Sequence, residues 1–228
     1  MNSLKFTLFV WCLCALGYAE HDLKKPLRGR PPWTMDQLFD VELARTAKLI
    51  PVKKKLVVET LKAELRHTAF IYAQNRELFS RRAIADFEYQ TSYFHREMVK
   101  ADLAVAEHDL TDSQIQAEEA QAFSLDALGQ EGQEKPLVLL FVRHWQNEVE
   151  WANALIEKSK VAVAYRTYNY QRTEKLLKRN DASPAELSQD LVFVEAAKAA
   201  LVEAKNRLEM ATANLAEAKA QVERAEIK

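Results

Sequence analysis

Between Pro51 and Gly129 this chain has neither glycine nor proline, and from Pro136 to Lys228 the only one is Pro184. Glycine costs a helix interior about 1 kcal/mol and proline about 3, so such gaps predict long uninterrupted helices and the exceptions predict their ends. A charged fraction of 29% with heavy alanine and leucine use points the same way. The expected fold class is all-α: long antiparallel coiled-coil hairpins whose apolar residues form seams rather than one thick core.

The first nineteen residues read as a signal peptide. Lys5 precedes the apolar run Phe6 to Leu16, and Gly17-Tyr18-Ala19 offers small residues for cleavage after Ala19. An uncleaved anchor is disfavoured because the run is shorter than the roughly 20 residues a spanning helix needs. Both cysteines, Cys12 and Cys14, lie in this segment, so the mature chain is expected to have no disulfide or thiolate chemistry. Trp11 and Leu13 precede them where a lipoprotein needs a small residue. Export to the periplasm is the expectation. Cleavage removes Lys5 and no acid, taking 32 basic and 33 acidic residues to 31 and 33, a net charge of -2. That balance argues against nucleic-acid binding and polybasic membrane anchoring.

Residues 20–34 form a basic tail containing Pro26, Pro31 and Pro32. A short helix is expected from Met35 to about Leu49, interrupted or kinked by Pro51. The remainder divides into a first helical hairpin within 35–128, a linker at 129–136 holding Gly129, Gly132 and Pro136, and a second hairpin over 137–228. The apolar run Leu137 to Val142, the only candidate strand, continues in helical phase through Trp145, Val149 and Ile156.

A displacement of ninety-eight residues brings the two halves into register. Tyr72, Leu78, Arg81, Glu88 and Glu97 fall on Tyr170, Leu176, Arg179, Glu186 and Glu195. Val58, Leu65, Tyr72 and Phe79 recur every seven residues, matching Ile156, Val163, Tyr170 and Leu177. In the last helix Val194, Leu201, Leu208 and Leu215 keep that period, and Ala197, Ala204, Ala211 and Ala218 run three residues behind. Small alanines in such a row admit a close antiparallel neighbour. Each arm of the second hairpin has a little over forty residues, or roughly 65 Å at 1.5 Å per residue.

Its turn is well specified. Asn180 and Asp181 suit a helix stop, Ser183 caps the next helix, Pro184 fits its first position and Glu186 completes a capping box. The first half has Ala85 in place of the serine, so its turn is expected to be looser, or a bend in a continuous helix.

Arg172, Leu176 and Ser183 stand at spacings of four and seven across this turn. In this respect residues 163–222 resemble the α-helical hairpin of periplasmic adaptor, or membrane fusion, proteins of efflux pumps and type I secretion systems. The resemblance implies that Arg172, Leu176 and Ser183 bind the helical tip of a TolC-type outer-membrane channel, Arg and Ser by hydrogen bonding and Leu by packing. The first half has Gln74, Leu78 and Ala85 at these places, so docking is expected of the second tip alone. The adaptors' lipoyl-like and β-barrel domains have no counterpart here, since no segment alternates with period two for long enough.

Catalytic signatures are missing. His21, His67, His95, His108 and His144 show no His-x-x-x-His spacing, and there is no glycine-rich phosphate loop or Gly-x-Ser-x-Gly elbow. His144 with Glu148 and His108 with Asp112 are read as exposed ion pairs along one helix, and Glu118 and Glu119 as solvated acids. Trp145 and Trp151 lie six apart and so on different stripes, and at least one is expected to cap the base of the bundle or to face a partner. No catalytic, cofactor or metal site is expected, and neither is a small-molecule substrate. The leading expectation is an exported, non-catalytic interaction protein, homo-oligomeric and docked on an envelope transport component. The alternatives are a periplasmic holdase with helical arms and a small relative of the TolC-type channel itself.

Overall fold

The computed structural model describes residues 35–127 and 134–226. The expected signal peptide, the expected basic tail to residue 34 and most of the expected linker therefore lie outside the described residues. From Phe39 onward the described residues belong to one compact unit. Among the described residues five helices follow one another: α1 Met35–Ala47, α2 Leu49–Ser80, α3 Asp86–Ala127, α4 Glu134–Leu177 and α5 Pro184–Glu226. Leu137 to Val142 is helical, and among the described residues there is no strand and no helix long and apolar enough to cross a membrane.

The break before α2 falls at Lys48, three residues ahead of Pro51. Proline has no N–H to give the carbonyl four residues back, and its ring crowds that carbonyl, here that of Ala47. The proline itself sits in the first turn of α2, where its missing donor goes unmissed.

Both long hairpins stop by the same device, ninety-eight residues apart. Arg82 and Asn180 take left-handed backbone angles, φ 57° and 60°. The next amides fold back: Ala83 donates to the Leu78 carbonyl at 2.8 Å, and Asp181 to that of Leu176 at 2.9 Å. The first turn is thus a true stop, closed like the second, and no helix runs through it. The difference lies in the caps. Ser183 and Glu186 form the full reciprocal box, the Ser183 amide donating to Glu186 Oε2 at 2.6 Å and the Glu186 amide to Ser183 Oγ at 3.2 Å. The first turn keeps only half of it, the Ala85 amide donating to Glu88 Oε2 at 3.1 Å. Ala85→Ser should complete that box and stabilise the chain by about 0.5–2 kcal/mol, and Ser183→Ala should cost a similar amount. Urea unfolding checks both, and equal midpoints for Ala85→Ser and wild type would show that the cap is not what the first turn lacks.

Within residues 39–228 the helices pack as an open series: α2 on α3, α3 on α4 and α4 on α5, with no contact between α2 and α5. The two hairpins are not separate, because α3 and α4 join them. Val58 and Val99 are buried between α2 and α3, and Ile115, Ala122 and Leu140 form a small core between α3 and α4. Ala204, Ala211 and Ala218 are buried in α5, as the alanine row requires. Leu201, Leu208 and Leu215 are only half-buried, since an edge helix has one neighbour and its flanking leucines are covered on one side.

Candidate functional site

Chain order and antiparallel packing bring both turns, 81–85 and 178–183, to the same end. Beneath them aromatic side chains link three helices. Phe79 stacks on Tyr89 with centroids 4.8 Å apart, and Tyr89 on Tyr72 at 5.7 Å. Tyr93 meets Phe94, and Phe94 reaches Tyr165 and Tyr168 of α4 at 5.4 and 5.8 Å. The Arg96 guanidinium covers Tyr72 at 4.1 Å. The sequence placed Tyr72 and Phe79 in a seven-residue seam but not their aromatic partners on α3 and α4. The signal for this cluster was there, in the crowding of Tyr and Phe on either side of both turns.

Above the aromatics the tips are tied directly. Tyr168 Oη donates to Asp86 Oδ2 at 3.0 Å, and burial together with this carboxylate pushes its hydroxyl up to about 12. The Arg172 guanidinium lies 3.6 Å above the ring of Phe87. A cleft of about 350 Å³ opens between the tips, lined by Asp86, Phe87, Tyr168, Arg172, Leu176 and Arg179. Arg172 and Leu176, two of the three residues implied by the adaptor resemblance, are therefore brought to one cleft, with Leu176 half-buried in its wall. Ser183 stands apart, its amide and hydroxyl engaged by Glu186, whose carboxyl those bonds hold below its ordinary range.

The second polar locus crosses α3 and α4 far from the tips. Asn147 is buried, its Nδ2 donating to the His108 carbonyl at 3.0 Å while its Oδ1 meets His108 Nδ1 at 3.2 Å. A buried amide paired this way fixes the register of two helices, because any slip leaves it without partners. One turn further on, His144 Nδ1 pairs with Asp112 Oδ1 at 2.8 Å. The His/acid pairs expected along single helices are thus joined across two. Glu119 is no freely solvated acid either: burial raises its carboxyl above the ordinary range, and burial does the same to Glu148. Trp151 Nε1 donates to Asp109 Oδ1 at 3.0 Å, while the indole N–H of Trp145 is buried without a partner beside Phe141 and His144.

Asp112, His144 and Glu148 could each offer a ligand atom to a cation, all within 4.8 Å of one another and half-buried. The His144–Asp112 hydrogen bond already uses two of those atoms, so the arrangement works first as an ion pair.

No protein-family model, curated protein or solved structure matches this chain. Function must therefore be argued from these two loci.

The polar locus has a definite pH signature. Its bond to Asp112 raises His144 above its ordinary 6.5, so the stability it contributes is fully present below 6.5 and lost as pH rises through its folded value. Glu119 and Glu148, raised by burial, act in the same sense from 4.5 upward, since ionising them costs more folded than unfolded. The thermal midpoint is expected to decline as pH rises from about 5 to 8, and His144→Gln should flatten the part of that decline above 6.5. An unchanged slope in His144→Gln would remove His144 as its source.

Proposed function

We propose that this chain is an exported, non-catalytic coiled-coil protein that docks a helical partner end-on through its paired tips. The observation that supports this reading is the joining of both turns into one end by the Tyr168–Asp86 hydrogen bond and the Arg172–Phe87 stack. A tip braced in this way loses little freedom on binding, which lowers the cost of association. Its cleft is lined by apolar side chains in Phe87 and Leu176 and by basic groups in Arg172 and Arg179. Such a surface suits the end of another helical bundle, where an apolar side chain can enter while carboxylates or terminal carbonyls meet the cations.

The proposed partner is an envelope transport component, the TolC-type channel being the class implied by the adaptor resemblance at Arg172, Leu176 and Ser183. Docking is here assigned to a composite of both tips rather than to the second alone, because Asp86 and Phe87 form one wall of the cleft. A photo-crosslinking residue at Leu176, introduced in intact cells, tests the reading. Capture of a helical envelope component is expected, and crosslinks confined to this chain would defeat it.

A further inference from the structure

The open helix series leaves two edges, and both carry exposed apolar side chains. On α2, Leu49, Val52, Leu56, Phe70 and Leu78 are exposed. At 100° per residue they lie within about 60° of one line, on the side away from Val58, which is buried against α3. On α5, Leu191, Val202 and Met210 are exposed and share a stripe with Ala199 and Ala213, turned away from the buried row of Ala204, Ala211 and Ala218. Two apolar stripes on opposite sides of one layer are unusual for a surface facing only water.

Charge identifies what covers them. Helix α2 carries six basic and three acidic residues, a net +3, whereas α5 carries five basic and eight acidic, a net -3. Pairing α2 with α2, or α5 with α5, would set like charges side by side within one Debye length, about 10 Å at 0.1 M salt. Pairing α2 with α5 sets opposite charges together. Direction agrees: α2 ends and α5 begins at the tip end, so copies placed side by side with their tips aligned bring these edges together antiparallel, continuing the up-and-down alternation of α2 to α5. The basic start of α2, with Lys53 and Lys55, then lies along the part of α5 that holds Glu209, Glu217 and Glu223.

We propose that the α2 edge of one copy docks the α5 edge of a second, a head-to-tail contact that extends the helix layer and brings the tips of successive copies together. Because the two surfaces differ, the interface is heterologous and generates a ring or an open array rather than a simple two-fold dimer.

Two charged variants decide it. Leu56→Glu/Phe70→Glu disables the α2 edge and Val202→Glu/Met210→Glu the α5 edge; wild-type exposures of 66%, 59%, 56% and 60% mean that neither should unfold the chain, and circular dichroism verifies this. By light scattering at micromolar concentration, the purified wild type should have the mass of several chains, falling as salt is raised. Each variant alone should have the mass of one chain, and a mixture of the two should have twice that mass, since each supplies the edge the other lacks. A monomeric wild type, assembly by either variant alone, or a mixture that stays monomeric overturns the proposal. A monomeric wild type would leave the stripes to a different occupant, such as an unfolded client. Neither variant alters Leu176 or its cleft, so this test and that of end-on docking fail independently.

Discussion

Leu176→Glu is expected to abolish crosslinking from a photo-reactive residue placed at Arg179, on the same cleft, to the helical partner, while helix content and thermal midpoint stay near those of the wild type. The residue is half-buried in the cleft wall, and a carboxylate there would have to be desolvated under any partner that covers it. An interface anchor removed this way commonly costs 2 kcal/mol or more, roughly a thirtyfold loss of affinity. The fold should tolerate the change because the turn at this point is held by backbone groups, the Leu176 carbonyl receiving the amides of Arg179 and Asp181 at 2.9 Å each. Leu78→Glu, the same change in the first tip, should weaken association less, because Leu78 is not among the residues that line the cleft. Arg172→Lys separates the contributions further: it keeps the charge but loses the flat guanidinium that stacks on Phe87. Full crosslinking in Leu176→Glu would return Leu176 to a purely structural role.

The turns and the last helix were the most legible parts of the sequence, because their constraints are local. Ser183, Pro184 and Glu186 specify a helix start within four residues, and the alanine row reports a close neighbour by side-chain size alone. The first turn was harder to read. Ala85 offers no cap and Arg82 is a poor left-handed residue, yet the stop forms as it does at Asn180, because aromatic packing between α2 and α3 holds the hairpin whatever the turn residues prefer. Asp112 and His144 were legible as individual residues but not as a pair. Each has a partner four residues away on its own helix, and only the α3–α4 register held by Asn147 and His108 decides that they meet across the interface. The apolar stripe on α2 was hidden for a related reason: a helix with apolar residues on two faces shows no single clear period, and only the open packing assigns one face inward and the other outward.

Ala218→Leu should destabilise the chain more than any alanine-to-leucine change on the outward face of α5. Ala218 has no exposed surface, and with Ala204 and Ala211 it lines the side on which α5 meets α4. A row of methyl groups at this spacing lets the two helix backbones approach closely, so three added carbons find no free volume and must push the axes apart. Overpacking of this kind costs about 1–3 kcal/mol, a substantial share of the roughly 5–15 kcal/mol that holds a domain folded, and should lower the thermal midpoint by about 2–10 °C in a chain of this size. Ala213→Leu is the matched control, five residues earlier on the exposed face, where leucine and alanine differ little in helix propensity. Ala213→Leu should leave the midpoint of the monomer nearly unchanged. Equal midpoints for both variants would mean that α5 does not rest on α4 through its alanines. The edges drawn for the layer would then have to be redrawn, since the stripe of Val202 and Met210 faces outward only if Ala218 faces in.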